Sequence, residues 1–210
     1  MKGKDDRNLW NKEARELRKS MPTNIEGVDQ QVYKSLRLSY DYLQDEEAKA
    51  CFLLCSLFPV DHNILIEDLV RYGMGLRAFK KVDTVHEASG SAKSVTDNLI
   101  ASCLLLASDN KQDCIKMYDV VHDVAIDIGS KKCFVRDSCN LKDWPNMDSL
   151  DLYTSISLMR NQISNLPEVL ECPKLQILLL PGNGNAWSCS HEFFSRINAL
   201  SVFDFSLLGF

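Results

Sequence analysis

A chain of 210 residues, 45% of them hydrophobic and 25% charged, can build a buried core, which excludes a disordered, collagen-like or low-complexity protein. The formal net charge of -5 is spread evenly, with 10 basic against 10 acidic residues up to Phe58, 10 against 12 from Pro59 to Asn140, and 4 against 7 beyond. No stretch carries the basic excess that a nucleic-acid surface needs, and the longest apolar runs, such as Leu104–Ala107 and Ile177–Pro181, are too short to span a bilayer.

Met1 is followed by Lys-Gly-Lys-Asp-Asp-Arg with no apolar stretch after it, so no secretion signal is expected and the chain reads as soluble and cytoplasmic. Leu9/Trp10, Ala14, Leu17 and Met21 recur every three or four residues and predict a first helix, with Asp5 and Asp6 at its amino end and Pro22 past its close. A second helix is predicted from about Asp29 to Leu43, with Val32, Leu36, Tyr40 and Leu43 as its apolar stripe. Asp45-Glu46-Glu47 opens a third, which runs through Cys51 and Phe52 and is closed by Pro59; its acidic start suits the positive end of the helix dipole. A loop at Val60–Asn63 leads to a fourth helix through Asp68, Leu69 and Tyr72.

Farther on, Val85, Ala88, Ala92, Val95, Leu99 and Cys103 predict a long helix. Two short apolar runs follow, Leu104–Ser108 and Cys114–Tyr118, around the polar turn Asp109–Asp113, and these read as a β-hairpin. Another helix comes at once, with Val120, Val121, Val124 and Ile128 inward. Several helices and then a hairpin wing are the pattern of a winged helix. A DNA-binding role is weakened by Asp97, Asp109, Asp113, Asp119, Asp123 and Asp127, which would repel phosphates.

The eight cysteines are scattered, so reduced thiols are expected. Cys51 and Cys55 are one helical turn apart and could offer two metal ligands. No His or Cys pair follows at zinc spacing, so core packing is the favoured reading. Asp123 and Asp127 read as the solvent face of a helix rather than an acid–base pair, and His122 as a surface histidine. Asp119 reads as a helix N-cap. No catalytic and no metal-ligating residues are assigned.

From Leu150 on the sequence repeats. Tyr153-x-x-Ile156-x-Leu158-x-x-Asn161-x-Ile163-x-x-Leu166-Pro167 returns as Leu175-x-x-Leu178-x-Leu180-x-x-Asn183, and in part as Leu200-x-x-Phe203-x-Phe205. Spacings of 22 and 25 residues fall in the leucine-rich-repeat range. Each short strand would point alternate apolar residues into a solenoid, with the Asn side chain bonding backbone where the chain turns. His191–Ile197 would add a convex-side helix. Leu208 stands where a third Asn would be, and the carboxyl end is expected to be truncated in mid-coil.

These motifs together resemble plant intracellular immune receptors of the nucleotide-binding leucine-rich-repeat class, in the coiled-coil-bearing branch. Val32–Leu43 resembles the helix leading out of the helical subdomain of their nucleotide switch (the NB-ARC region). Cys51-Phe52-Leu53-Leu54-Cys55-Ser56-Leu57-Phe58-Pro59 resembles the Cys-Phe block that opens the winged helix, marking Cys51, Phe52, Cys55, Phe58 and Pro59 as structural motif residues. Met117–Ala125 resembles the Met-His-Asp block, in which the histidine reaches the ADP β-phosphate and latches the closed state. That position is Tyr118 here, followed by Asp119.

The resemblance implies a regulatory part of a defence receptor: the end of the helical subdomain at 1–44, a winged helix at 45–140 and truncated repeats at 141–210. The fold class expected is mainly α with a small β-hairpin, followed by the start of an α/β leucine-rich-repeat solenoid. ADP or ATP would be bound by the intact receptor and not by this chain alone, since no Gly-x-x-x-x-Gly-Lys-Ser/Thr occurs and Gly73-Met74-Gly75 lacks the lysine. Implied partners are upstream nucleotide-binding and coiled-coil segments, downstream repeats, and a pathogen effector or guarded host protein. Tyr118 can donate a hydrogen bond but gains no charge, so a weakened latch is expected, against the simpler reading that Tyr118 packs on the neighbouring helix. Alternatives are a truncated repeat protein with no nucleotide role, a DNA-binding winged helix, and a small hydrolase built on a Cys–His pair; no enzyme activity is expected.

Overall fold

Short polar residues set the helix ends. In this computed structural model, which describes residues 30–80, 82–108, 113–147, 150–183 and 189–206, α2 (Glu46–Cys55) starts where the Asp45 carboxylate accepts from the Glu47 amide at 3.0 Å. Its sides bear Ala48, Cys51, Phe52, Leu54 and Cys55, all buried, as suits a helix enclosed by others. It ends at Cys55 with Ser56 as cap, short of Pro59. The helix expected at Leu9–Met21, the turn at Asp109–Gln112 and Leu208 lie outside the described residues.

Before it, α1 (Gln30–Asp41) packs through Tyr33, Leu36 and Tyr40, with Leu43 just beyond its end. The stripe passes through Tyr33 and not Val32, which is 45% exposed. At about 100° per residue, the 32–36–40–43 and 33–36–40–43 spacings each span about 80° of the helix, so spacing alone does not choose between them. The Tyr40 and Phe52 rings meet at 5.3 Å, so α1 shares the core of α2.

After Pro59, β1 (Ile64–Leu65) leads directly into α3 (Ile66–Gly75). Helix α4 (Val85–Ala101) opens with a capping box between Thr84 and Glu87. Ala88, Ala92, Val95 and Leu99 are buried on it, whereas Val85 and Cys103, at the ends of the expected stripe, are exposed. The hairpin strands β2 (Leu106–Ala107) and β3 (Cys114–Lys116) pair antiparallel, Ala107 opposite Ile115. β1 joins the other side of β3, with Ile64 opposite Ile115, so the sheet order is β1-β3-β2. A strand as short as Ile64–Leu65 leaves no period to read in the sequence. Helix α5 (Asp119–Gly129) follows.

The second part is a parallel ladder of β4 (Cys133–Val135), β5 (Ser155–Ser157), β6 (Ile177–Leu179) and β7 (Val202–Asp204). Phe134, Ile156, Leu178 and Phe203 stand in register, at spacings of 22, 22 and 25 residues, so the period read from the sequence is the sheet register. β4 lies within the segment given above to the winged helix. Asn161 Oδ1 accepts from the Cys139 and Leu141 amides at 3.1 Å, and its Nδ2 donates to the Arg136 and Leu158 carbonyls. Asn183 does the same one coil later, bridging Ile163 N–H to the Leu158 and Leu180 carbonyls. Ser138, Arg160 and Gly182, each just before this position, hold positive φ of 53°, 54° and 74°, which only Gly182 adopts without strain.

Two cores result. Ile156, Leu158, Leu178, Leu180 and Phe193 form one cluster on the parallel ladder. The other face of the ladder, with Ile177, Leu179 and Val202, is part of the cluster formed by Phe52, Leu57, Tyr72, Leu99, Leu105 and Val121. The strand run Ile177–Leu180 is apolar throughout because both of its faces are buried. Polar contacts cross this seam: Ser157 Oγ donates to the Leu57 carbonyl at 2.6 Å, the Tyr72 hydroxyl donates to Asp204, and Arg160 Nη2 donates to His62 Nδ1 at 2.7 Å. Gly75 is needed there, since a Cβ would lie 2.5 Å from Val202 Cγ2. Among the described residues the fold is mixed α/β, with five α-helices and two small sheets, and no helix is long and apolar enough to cross a membrane.

Candidate functional site

Only Met117 and Tyr118 separate β3 from α5, so a strand and a helix fix the backbone of the Met117-Tyr118-Asp119 segment from both sides. Met117 points into the core at 3% exposure, whereas Tyr118 is 56% exposed. Tyr118 is the N-cap, with extended backbone and no side-chain cap bond, and its carbonyl accepts from the His122 amide at 2.8 Å. Asp119 is therefore the first helical residue and not the cap. Its Oδ1 accepts from the Val120 amide at 2.7 Å, so it satisfies one of the helix's free amides from one position later than expected. Tyr118 is thus more than half exposed at the start of α5.

His122 is the largest departure from the sequence reading. It is buried, at 5% exposure, and its Nε2 lies 3.1 Å from the Phe58 carbonyl oxygen. A carbonyl can only accept, so the ring carries its proton on Nε2 and donates it. The signal was present in the spacing: His122, Ala125 and Gly129 share a buried edge of α5, beside Val121 and Val124. The bond joins two motif blocks that lie 64 residues apart, tying the first turn of α5 to the end of the Cys-Phe block.

That block is structural in each of its parts. Phe52 and Phe58 are fully buried, Pro59 is buried, and the Phe58 ring stacks between His62 at 5.7 Å and Tyr72 at 5.8 Å. The Pro59 carbonyl accepts from the His62 amide at 3.1 Å and so closes the turn. Cys51 and Cys55 are both free and buried in the core. Hydrogen bonding with Cys51, and then burial, push the Cys55 thiol up, which makes it a poor nucleophile and a packing group. No group of three His, Cys, Asp or Glu side chains is placed to hold a metal among the described residues.

Asp123 is exposed, but Asp127 is not simply a solvent-facing residue. The Tyr33 hydroxyl donates to it, and Arg37 Nη1 lies 3.1 Å from its Oδ2, so Asp127 joins α5 to α1. Burial first, and the Asp127 bond second, push the Tyr33 hydroxyl up and keep it a donor.

Three proteins of Arabidopsis thaliana are similar to the chain over most of its length. Disease resistance protein At4g27190 is 35% identical over 190 residues, which are 87% of this chain and 19% of that protein. Disease resistance protein RFL1 is 32% identical over 190 residues, 88% of the chain and 22% of its own length. Disease resistance protein RPS5 is 32% identical over 193 residues, 89% and 22% respectively. The chain belongs to the family of plant disease-resistance proteins. It spans about a fifth of the length of the curated relatives it matches. No protein-family model matches it. The exposed Tyr118 edge is the candidate site of this chain.

Proposed function

We propose that this chain supplies the lid and the first repeats of a nucleotide-operated defence switch. The sheet β1-β3-β2 with α2 to α5 acts as a winged helix that closes over ADP held by a separate nucleotide-binding segment. The ladder from β4 to β7 acts as the start of a leucine-rich-repeat solenoid that restrains the lid. The work done is a population shift between two packings, with no turnover by this chain. The coiled-coil and nucleotide-binding segments, further repeats, and a pathogen effector or guarded host protein are its partners in this reading, and the cytoplasm its place of action.

The observation that carries the reading is Tyr118. A tyrosine more than half exposed sits at the start of α5, on backbone fixed by the strand before it and the helix after it. A side chain presented outward from so constrained a backbone suits contact with a neighbouring surface. A phenol donates one neutral hydrogen bond to a phosphate oxygen, where an imidazolium would add charge. The charge-assisted part of such a bond is about 1 kcal/mol, enough to shift a balanced switch several-fold.

The test is the amount of ADP that stays bound to a purified receptor carrying this segment, with Tyr118 and with Tyr118→His. Retention several-fold higher in the histidine form is expected. Equal retention would remove Tyr118 from the nucleotide contact.

A further inference from the structure

Helix α5 is an 11-residue rod with the candidate edge at one end and a polar clamp at the other. At the clamp, Asp127 accepts from the Tyr33 hydroxyl, and Arg37 Nη1 lies 3.1 Å from Asp127 Oδ2 and 3.3 Å from the Tyr33 oxygen. Tyr33 and Arg37 are one turn apart on α1, so a single face of that helix presents a donor hydroxyl and a cation to one carboxylate. The contact joins positions 94 and 90 residues apart in the chain.

Most of the remaining buried side chains of α5 are apolar. Val121, Val124 and Ala125 hold the helix against the core by burial, which is non-directional and sets depth better than rotation. Two directional side-chain bonds add what burial lacks. His122 to the Phe58 carbonyl fixes the first turn, and Asp127 fixes the last. The two residues are five apart, or about 140° around the helix axis, so together they define its rotation.

We propose that Asp127, held by Tyr33 and Arg37, is a positioning residue for the Tyr118–Asp119 edge, fixing the rotation of α5 and coupling that edge to α1. The proposal rests on the lid reading for its functional meaning. α1 lies ahead of the lid in the chain, so a displacement arriving through it is passed along α5 to Tyr118. Asp127 touches no nucleotide in this scheme and acts through the helix.

The test is hydrogen exchange on the 210-residue chain with Arg37→Asp, Asp127→Arg and the double exchange of the two. Each single reversal sets like charges against each other and is expected to speed exchange of the His122–Ala125 amides by about 3- to 10-fold, while β5 and β6 keep their protection. The double exchange restores the pair in mirror image and is expected to return those amides to within about twofold of the parent. Unchanged exchange in the single reversals, or no recovery in the double, would overturn the proposal. If a reversal unfolds the chain, Asp127→Asn gives the same reading, since it removes the charge and keeps the shape. In a receptor carrying the segment, retained ADP should fall with each reversal and recover with the double. A receptor that holds no ADP even in its parent form would overturn the lid reading, leaving the exchange result to judge the clamp.

Discussion

The helical part and the parallel ladder hide their apolar residues in different ways. In the helical part, Phe52 is buried between segments far apart in the chain, among Tyr40 of α1, Leu99 of α4, Ile115 of β3 and Val121 of α5. The ladder repeats one arrangement at a period of about two dozen residues and places a buried asparagine at the bends after β5 and β6. Cooperativity in the first comes from a shared core; in the second it comes from contacts between neighbouring coils. The two meet because the ladder's outer face is apolar too, so Leu179 and Val202 belong to the helical part's core. Damage inside a coil should therefore stay in the ladder, and damage at the seam should reach both.

The largest effect expected from this comparison is that of Asn183→Ala. The side chain is 4% exposed and serves Ile163 N–H and the Leu158 and Leu180 carbonyls, which no alanine can replace. Leaving buried backbone groups unpaired costs about 2–4 kcal/mol in total. Urea denaturation should show that loss, and hydrogen exchange should place it in β5 to β7 with α4 and α5 little changed. Equal loosening of α5 would mean that the two parts do not fail separately.

A smaller effect is expected at the seam. Burial would raise the Asp204 carboxyl, but the Tyr72 hydroxyl first, and then the Ser206 amide and hydroxyl, outweigh it and hold the carboxyl below its usual value. A carboxyl with a depressed folded pKa adds stability above its unfolded pKa, and that stability is lost as pH falls through the folded pKa. Asp204 is only about half buried, so solvent screening limits the contribution to about 0.5–1 kcal/mol. Asp204→Asn should remove this acid-side slope, measured as the urea midpoint from the unfolded carboxyl range downward in pH. A slope unchanged by the substitution would show that Asp204 does not bind the two parts together.

The same contrast explains what could be read from the sequence. The 22- and 25-residue spacings were visible because the same residue types recur at the same offsets, and they proved to be the strand register. The helices from α1 to α5 were legible through period and caps, and the hairpin through its polar turn. His122 was missed because its type suggests the surface, although its place on the Ala125–Gly129 edge points inward. Asp127 and Tyr33 meet only through a tertiary contact 94 residues apart, which no local pattern encodes. For the site, the chain position of Tyr118 was readable; its outward exposure was not, since that depends on how β3 and α5 pack.

The first coil of the ladder makes the clearest case. Counting 22 residues back from Tyr153, Ile156, Leu158 and Asn161 gives Lys131, Phe134, Arg136 and Cys139, of which only Phe134 keeps the apolar repeat. Helix α5 lies directly before it and approaches it closely, with Cys133 Sγ 3.3 Å from where a Gly129 Cβ would stand. Cys139 occupies the asparagine position but is exposed, and its thiol reaches only the Asp137 carbonyl at 3.2 Å. An asparagine there has no coil on its far side to bridge. Cys139→Asn should therefore change stability by less than about 0.5 kcal/mol, in contrast to the loss at Asn183. A gain above that in the urea midpoint would mean the amide finds backbone partners toward α5, and that the ladder's bonding pattern extends one step into the helical part.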